Sequence, residues 1–288
     1  MKINDIFRDN EVTLSFEIFP PKTDAGFAAV EDCAHKIAAL EPSFMSITYG
    51  AGGGTSANTA KLAAKLQNEY NTNVLAHLTC VSSDRAFVQE RLEEYKSLGI
   101  ENIMALRGDL PKDGTSSLDY SHAIQLIQDI KEFYPEACIG GACYPEGHVE
   151  CERQSEDILH LKEKVDAGLD FLTTQMFFDN NIMYNFMYRI REQGIMVPVV
   201  AGIMPITNKK QVARSVALSG ATIPQRFRTM VDRFGDDPAK MQQAGVIYAT
   251  EQIIDLISNG VTHIHVYSMN KPEIAAGIQA SLSHIIDR

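Results

Sequence analysis

Four glycines, each followed by an aliphatic residue, stand just ahead of short apolar runs: Gly99-Ile100, Gly168-Leu169, Gly194-Ile195 and Gly260-Val261. Glycine adopts left-handed backbone geometry without a Cβ penalty, so it fits the position just past a helix's last turn. The run after it has the length and composition of a buried strand. The junction is that of a repeating helix-to-strand unit. These runs are Asn102 to Asp109, Phe171 to Phe178, Val197 to Met204 and His263 to Asn270. Four more share their character without the glycine: Val12 to Phe19, Phe44 to Ala51, Asn73 to Cys80 and Cys138 to Pro145. Between the runs, apolar residues recur at helical spacing, as in Val88, Leu92 and Tyr95, or Val246, Ala249, Ile253 and Leu256. Eight alternating strand and helix units at intervals of about 30 residues predict an α/β fold, a (β/α)8 TIM barrel. The interval from Met204 to His263 is about double the rest, which predicts an extra helical segment, around Pro224 to Arg233, before the eighth strand. A doubly wound open sheet is the competing architecture. It calls for a glycine-rich turn after its first strand, where this chain has Pro20-Pro21.

A chain of 288 residues, 45% hydrophobic and without a low-complexity tract, suits one large core, so residues 1–288 are expected to form a single barrel domain with no regulatory domain. The net charge of −11 argues against nucleic acid or an anionic membrane as the main partner, because both are bound through basic patches. Five cysteines (Cys33, Cys80, Cys138, Cys143, Cys151) contain no CxxC pair and lie mostly in apolar strands, the pattern of buried free thiols in a reducing compartment. The N-terminus has no signal-peptide core and no run reaches transmembrane length, so a cytoplasmic location is expected.

Side chains alternate across a strand, and polarity suggests which parity faces the barrel interior. That parity gives Thr13, Ser15 and Glu17 in the first strand, Ser46 and Thr48 in the second, His77 and Thr79 in the third, and Arg107 and Asp109 in the fourth. It gives Tyr144 in the fifth, Thr173 and Gln175 in the sixth, and His263, His265 and Tyr267 in the eighth. Only the seventh, with Val199, Ala201 and Ile203, is apolar on that parity. For Ser15, Ser46 and Thr173 a satisfied hydrogen-bond network is explanation enough. Glu17, Arg107, Asp109 and Gln175 fall at carboxyl ends of strands, where barrels of this type place their chemistry, and unpaired buried charge is costly.

Absences narrow that chemistry. No lysine ends a strand, which removes the nucleophile of a Schiff-base aldolase. His263 and His265 form an HxH pair, but the first strand supplies no histidine to join them, and packing or hydrogen bonding is preferred to a metal site. No serine or cysteine sits in a nucleophile elbow. What remains is Glu17, flanked by Phe16 and Ile18, whose pKa desolvation should raise, and Asp109, two residues from Arg107. Such a pair divides roles, one donating a proton and the other staying charged. The loop Ala51-Gly52-Gly53-Gly54-Thr55-Ser56 offers backbone amides to a phosphate or a flat ring, though it reads equally as a flexible surface loop and matches neither the P-loop nor the Rossmann spacing.

Several motifs stand in order at the strand ends: Ser15-Phe16-Glu17-Ile18-Phe19-Pro20-Pro21, Thr48-Tyr49-Gly50-Ala51, His77-Leu78-Thr79-Cys80 and Ala105-Leu106-Arg107-Gly108-Asp109-Leu110-Pro111. They continue through Tyr144-Pro145-Glu146-Gly147-His148, Lys164-Val165-Asp166-Ala167-Gly168, Thr174-Gln175-Met176-Phe177-Phe178-Asp179 and Gly202-Ile203-Met204-Pro205. In these the sequence resembles the bacterial methylenetetrahydrofolate reductases, flavin-dependent (β/α)8 barrels, from Leu14 to about Lys271. The resemblance implies FAD as cofactor and ping-pong reduction of 5,10-methylenetetrahydrofolate to 5-methyltetrahydrofolate by NADH or NADPH, a step in one-carbon metabolism and methionine supply. It also implies a homo-oligomer and no S-adenosylmethionine control.

By the same resemblance, Glu17 is the general acid that protonates the folate so that its five-membered ring opens to an iminium, and Asp109 contacts the pterin and tunes the flavin. Gln175 and Gln211 resemble folate contacts. Thr48, Tyr49, Ala51, His77, Arg107, Gly108, Tyr144 and His148 resemble the flavin shell, and Asp157 and Lys164 contacts to the ribose and pyrophosphate end. Some positions depart from the family pattern. Ser215 stands where relatives carry a stacking phenylalanine, Lys271 where they carry an arginine near the folate tail, and His160 and Glu163 replace an asparagine and an arginine near the FAD. Two alternatives stand beside this reading. One is a pterin-dependent methyltransferase barrel, with no use for flavin contacts; the other is a non-catalytic flavoprotein subunit of a redox complex, to which Ser215 lends support.

Overall fold

The computed structural model describes residues 1–21, 23–49, 56–110 and 117–286. Eight parallel strands, β1 (Thr13–Ile18), β2 (Phe44–Ile47), β3 (Val74–Thr79), β4 (Asn102–Leu106), β5 (Cys138–Cys143), β6 (Phe171–Thr174), β7 (Val199–Ile203) and β8 (His263–Val266), pair in sequence order, and β8 closes on β1. Around them lie α1 (Ile3–Asp9), α2 (Phe27–Ala38), α3 (Ser56–Tyr70), α4 (Arg85–Ser97), α5 (Ala123–Phe133), α6 (Gln154–Asp166), α7 (Asn180–Glu192), α8 (Lys209–Ser219), α9 (Gln225–Phe234), α10 (Pro238–Ser258) and α11 (Pro272–Ser281). The expected TIM barrel is present, and three helices, α8, α9 and α10, stand between β7 and β8, with α9 the segment expected around Pro224 to Arg233. No helix among the described residues is long and apolar enough to cross a membrane.

All four junction glycines have positive φ, from 69° at Gly99 to 121° at Gly168. At the first, the Gly99 amide donates to the Lys96 carbonyl (3.1 Å) and the Ile100 amide to the Tyr95 carbonyl (2.9 Å). These overlapping bonds satisfy the last carbonyls of α4, and the buried Ile100 then anchors the chain as it turns back toward β4. The same pair of bonds recurs at Gly194 and Gly260.

The large core lies between the barrel and its helices, and a second cluster fills the barrel's amino-terminal half, where Phe44, Leu75, Met104, Phe171 and Val200 meet Ile3, Ile6 and Phe7 of α1. Helix α1 is thus a plug. The Phe7 ring stacks on His263 at 4.3 Å and meets Phe171 edge-on at 5.5 Å. Asn102 pins the plug, its Oδ1 accepting from the Ile3 amide (2.8 Å) and its Nδ2 donating to the Met1 and Val74 carbonyls. Phe171 reaches the barrel axis because residue 140 is glycine; a Cβ there would lie 2.5 Å from the ring.

Two inward assignments are corrected. In β4 it is Met104 and Leu106 that face the interior, and the chain leaves the strand before Arg107 and Asp109, which stand on the rim. In β7, Val200 belongs to the interior cluster while Val199, Ala201 and Ile203 pack against the helices. β7 is apolar on both faces, as expected where a sheet is covered on both sides, so polarity carries no parity signal there; in β4 the charges of Arg107 and Asp109, beyond the strand's end, outweigh the single inward polar residue, Asn102. All eight strands stop short of the ends of their apolar runs, and the described residues left over build the loops at the carboxyl-terminal mouth.

Candidate active site

A cavity of about 350 Å³ opens at that mouth, within the size range of small-molecule sites, and brings together Glu17, His77, Tyr144, Gln175 and Gln211. Met104, Leu106, Met176 and Met204 supply apolar wall. Beneath it a chamber of about 30 Å³ is lined by Glu17, Ser46, His77, Thr173, His265 and Tyr267. Glu17 therefore sits at the floor of one space and the roof of the other.

The Glu17 side chain is carried inward by β1 while Phe16 and Ile18 bury themselves in the helix-side core. It is 7% exposed and has no ion-pair partner among the described residues. Desolvation raises its pKa from 4.5 to about 8. The two histidines below it respond oppositely to the same cause, since burial penalises their cationic form: His77 falls to about 4 and His265 to about 3, the latter helped by His77. Ser15 Oγ donates to the Ile264 carbonyl (3.1 Å), so its bond to His265 Nδ1 (2.8 Å) requires that nitrogen to carry the proton. Ser46 Oγ lies 2.6 Å from His77 Nε2, and Thr13 Oγ1 lies 3.1 Å from His263 Nδ1. The HxH pair is thus engaged in hydrogen bonds and ring packing, as the sequence reading preferred. Ser15 and Ser46 are satisfied as expected. Thr173 is not: its buried Oγ1 has no partner among the described residues.

Both glutamines have their amide oxygen occupied, which fixes the orientation of the group. Gln175 Oε1 accepts from the Met176 amide (2.9 Å). Gln211, at the third position of α8, closes a capping box with Asn208, its Oε1 accepting from the Thr207 and Asn208 amides. Each Nε2 remains a donor with no partner among the described residues, so the cavity offers two amide donors to a ligand rich in acceptors. Lys271 Nζ donates to Thr207 Oγ1 (2.9 Å), and Thr207 Oγ1 donates in turn to Gln211 Oε1 (3.2 Å), which ties the α11 cap to that glutamine. Ser215 is buried and lines the cavity on the same side.

On the rim, Arg107 forms a two-pronged ion pair with Glu150, Nη1 to Oε2 at 2.7 Å and Nη2 to Oε1 at 2.8 Å. Sequence reasoning missed Glu150, and nothing in its local pattern distinguishes it from other loop acids. Gly108 has φ 90°, and a Cβ there would lie 3.1 Å from Thr79 and Val81. Asp109 is exposed beside them, close enough to Arg107 and Tyr144 for its charge to be felt. The Tyr144 ring meets His148 edge-on at 4.6 Å, and the His148 amide donates to Asp157 Oδ2 (3.2 Å).

Asp157 and Lys164 share a face of α6, as their spacing predicts. Lys164 Nζ donates to the Ala142 carbonyl at 2.9 Å, and burial pushes the Asp157 carboxyl up and the Lys164 ammonium down. His160 lies on the exposed face of α6, paired with Glu163. Thr48 stands just past β2, its carbonyl accepting from Thr59 Oγ1, and Tyr49 is buried in the helix-side core. Ala51 and the rest of the glycine loop through Thr55, like Pro111, lie outside the described residues.

These groups suit a flavin dinucleotide on three counts. Lys164 is a half-buried, desolvated ammonium that feels the charge of Asp157 but forms no ion pair among the described residues, a form that an anionic group would stabilise. Arg107 presents a planar fork at the mouth, and the fork matches phosphate as well as carboxylate. The cavity walls are largely apolar, and the Thr173 hydroxyl in them has no partner among the described residues.

The sequence profile of the methylenetetrahydrofolate reductase family matches residues 2–283. Among curated proteins the chain is 34% identical to methylenetetrahydrofolate reductase (NADH) 1 of Zea mays over 99% of its length, and it spans about half the length of such plant relatives, 50% in this case. It is 32% identical to the 5,10-methylenetetrahydrofolate reductase of Pectobacterium carotovorum, covering 93% of this chain and 89% of that one. For the Escherichia coli protein of the same name the identity is 31%, with 93% and 90% covered. Among solved structures, a Clostridium thermocellum protein that binds two copies of 5-methyl-5,6,7,8-tetrahydrofolic acid superposes with a TM-score of 0.66 at 14% identity, over 99% of this chain and 100% of that one, a likeness of fold alone. The matched profile, running from α1 to the end of α11, and the two bacterial relatives of similar length make this chain a member of the methylenetetrahydrofolate reductase family.

Proposed function

We propose that the protein reduces 5,10-methylenetetrahydrofolate to 5-methyltetrahydrofolate, with FAD as resident cofactor and NADH or NADPH as electron source, and that residues 1–288 act as one catalytic barrel. The observation that carries the reading is Glu17, a carboxyl at the cavity floor that keeps its proton up to a pH of about 8. Bound FAD would supply hydride chemistry, taking the hydride from the nicotinamide and passing it to the folate. Everything else falls to the chain's own side chains.

Opening the five-membered ring of the substrate requires a proton at a ring nitrogen, and the donor must be protonated at working pH yet willing to release it. His77 and His265, neutral at pH 7, have no proton of that acidity to give, and Tyr267 is held well above its ordinary pKa with its hydroxyl donating to the Thr174 carbonyl. Glu17 is the acid that fits. Its environment supports the role in a second way, because the apolar walls that keep it neutral also exclude water from the reacting ring. Gln175 and Gln211 would donate their free Nε2 groups to acceptor atoms of the pterin and hold it over Glu17. Lys164 and Arg107 would hold the anionic part of FAD.

Half-reactions test the reading. Protein reconstituted with FAD should show flavin absorbance, bleach anaerobically with NADH or NADPH, and recover colour on adding 5,10-methylenetetrahydrofolate. The maize relative's name specifies NADH, so that donor comes first. In Glu17→Gln the bleaching should persist and the recovery should fall by at least about a hundredfold, the usual contribution of a positioned general acid. Failure to bind flavin would remove the reading, and equal loss of both half-reactions would remove Glu17 from its assigned role.

A further inference from the structure

The Arg107–Glu150 pair joins two loops 43 residues apart in sequence. Its partners differ in how firmly they are held. Arg107 is 21% exposed, extends from the end of β4, and donates through Nε to the Gly108 carbonyl as well. Glu150 is 48% exposed and lies in the loop between β5 and α6, where its backbone amide is bonded to His148 Nδ1 (3.1 Å) while its carboxylate has Arg107 as its partner. The cation is fixed and the anion hangs from three rotatable bonds. The geometry is the one a guanidinium gives to carboxylate or phosphate alike.

We propose that Glu150 is an internal counter-anion, occupying the Arg107 fork until a phosphate-bearing ligand displaces it at the cavity mouth. The inference rests on the reading that FAD binds at this mouth, and it concerns how the site is kept before FAD arrives. Displacement is feasible because the departing carboxylate moves into water, which repays most of its lost attraction, whereas Arg107 remains covered and exchanges one anion for another. The carboxylate stays ionised throughout the neutral range, since the guanidinium holds its pKa below the usual value. Glu150 therefore competes for the fork at every pH at which the protein would work, and a ligand binds only the fraction of molecules in which the fork is open.

The test is equilibrium binding of FAD and of riboflavin, the phosphate-free probe, to apoprotein by quenching of flavin fluorescence. In Glu150→Gln the FAD dissociation constant should fall about fivefold, the size expected when a half-exposed ion pair no longer competes, and riboflavin affinity should stay the same. Glu150→Asp, which keeps the charge, should remain within twofold of the wild type. Unchanged or weaker FAD binding in Glu150→Gln would overturn the proposal, showing that the carboxylate is neutral in effect or positions Arg107 for the ligand. Equal tightening for riboflavin would overturn it too, because the effect would not then run through phosphate. If the wild type binds neither probe, the flavin reading itself fails and the inference with it.

Discussion

Replacing Glu17 by Gln should make the protein more stable in alkaline solution, and the size of the gain follows from the carboxyl's burial. In the native state the group titrates at about 8, against 4.5 when free in solution. Between those values the folded protein holds a proton that the unfolded chain has released, so stability falls as pH rises through the window, by about 1.4 kcal/mol per pH unit at most. The accumulated loss above pH 8 reaches an upper limit of about 5 kcal/mol. Below pH 4.5 both states are protonated and the penalty vanishes. Glutamine has the same shape and never ionises, so the variant carries none of this cost. His77, His263 and His265, whose pKa values lie at about 4, 4 and 3, also make stability vary with pH, but on the acid side of their ordinary 6.5 and in both proteins alike. The difference between variant and wild type isolates Glu17. Urea unfolding at intervals from pH 5 to pH 9 should show the two proteins within about 1 kcal/mol at pH 5 and diverging steadily, with Glu17→Gln ahead by several kcal/mol at pH 9. A difference that stays flat across that range would refute the reasoning, for it would mean that the carboxyl is hydrated in the folded protein and no acid at neutral pH. The same titration predicts that the folate half-reaction slows as pH rises through about 8, while flavin reduction does not.

Two further outcomes follow from burial. Phe7→Ala removes the ring that closes the amino-terminal end of the barrel against Phe44, Phe171 and His263, and should cost about 3–5 kcal/mol in urea unfolding while leaving flavin affinity within twofold, because the cavity opens at the opposite end. Lys164→Met should leave the apoprotein stability within about 1 kcal/mol of the wild type, since the relief of a desolvated ammonium is offset by the lost attraction to Asp157, yet weaken FAD binding by about 2 kcal/mol or more, read as at least a thirtyfold rise in dissociation constant.

Legibility in the sequence followed the strength of each local signal. The glycine junctions were decisive because glycine takes left-handed backbone geometry without strain, and Gly99, Gly168, Gly194 and Gly260 all adopt positive φ, whereas the chain past α2 and α3 does so at Glu41 and Asn71, which carry no such signal. Glu17 was legible because a lone carboxyl in an alternating strand can face only inward when its neighbours are Phe16 and Ile18. The same parity argument failed for β7, whose two faces are equally apolar, and for β4, where Arg107 and Asp109 beyond the strand's end set the parity, and so Met104 and Leu106 passed unnoticed as cavity wall. Helix α1 was missed for a different reason: Ile3, Ile6 and Phe7 make less than two turns of periodicity, and the helix is held by Asn102, nearly a hundred residues away, more than by its own propensity. Glu150 carries no pattern at all; its role exists only because two loops meet in space.

The depth at which each group sits explains why proton and charge are kept apart in this barrel. Desolvation grows inward, so the groups on the floor, Glu17, His77 and His265, are all driven to their neutral forms, although one is an acid and two are bases. At the mouth, where water reaches, Arg107 and Glu150 remain an ion pair. A ligand entering the cavity meets charge first and neutral hydrogen-bonding groups last. On the proposed function, an uncharged ring system would descend to Glu17 while phosphates would be held at the rim by Arg107, and this ordering would set the direction in which a molecule with one flat end and one anionic end lies. It also gives the bound molecule a structural task, since a flat ring closing the mouth completes the desolvation on which the acidity of Glu17 depends. The pKa of Glu17 should therefore rise further when the cavity is filled, and the alkaline limb of the folate half-reaction should lie at or above about 8, the pH at which the empty protein stops losing stability to this residue.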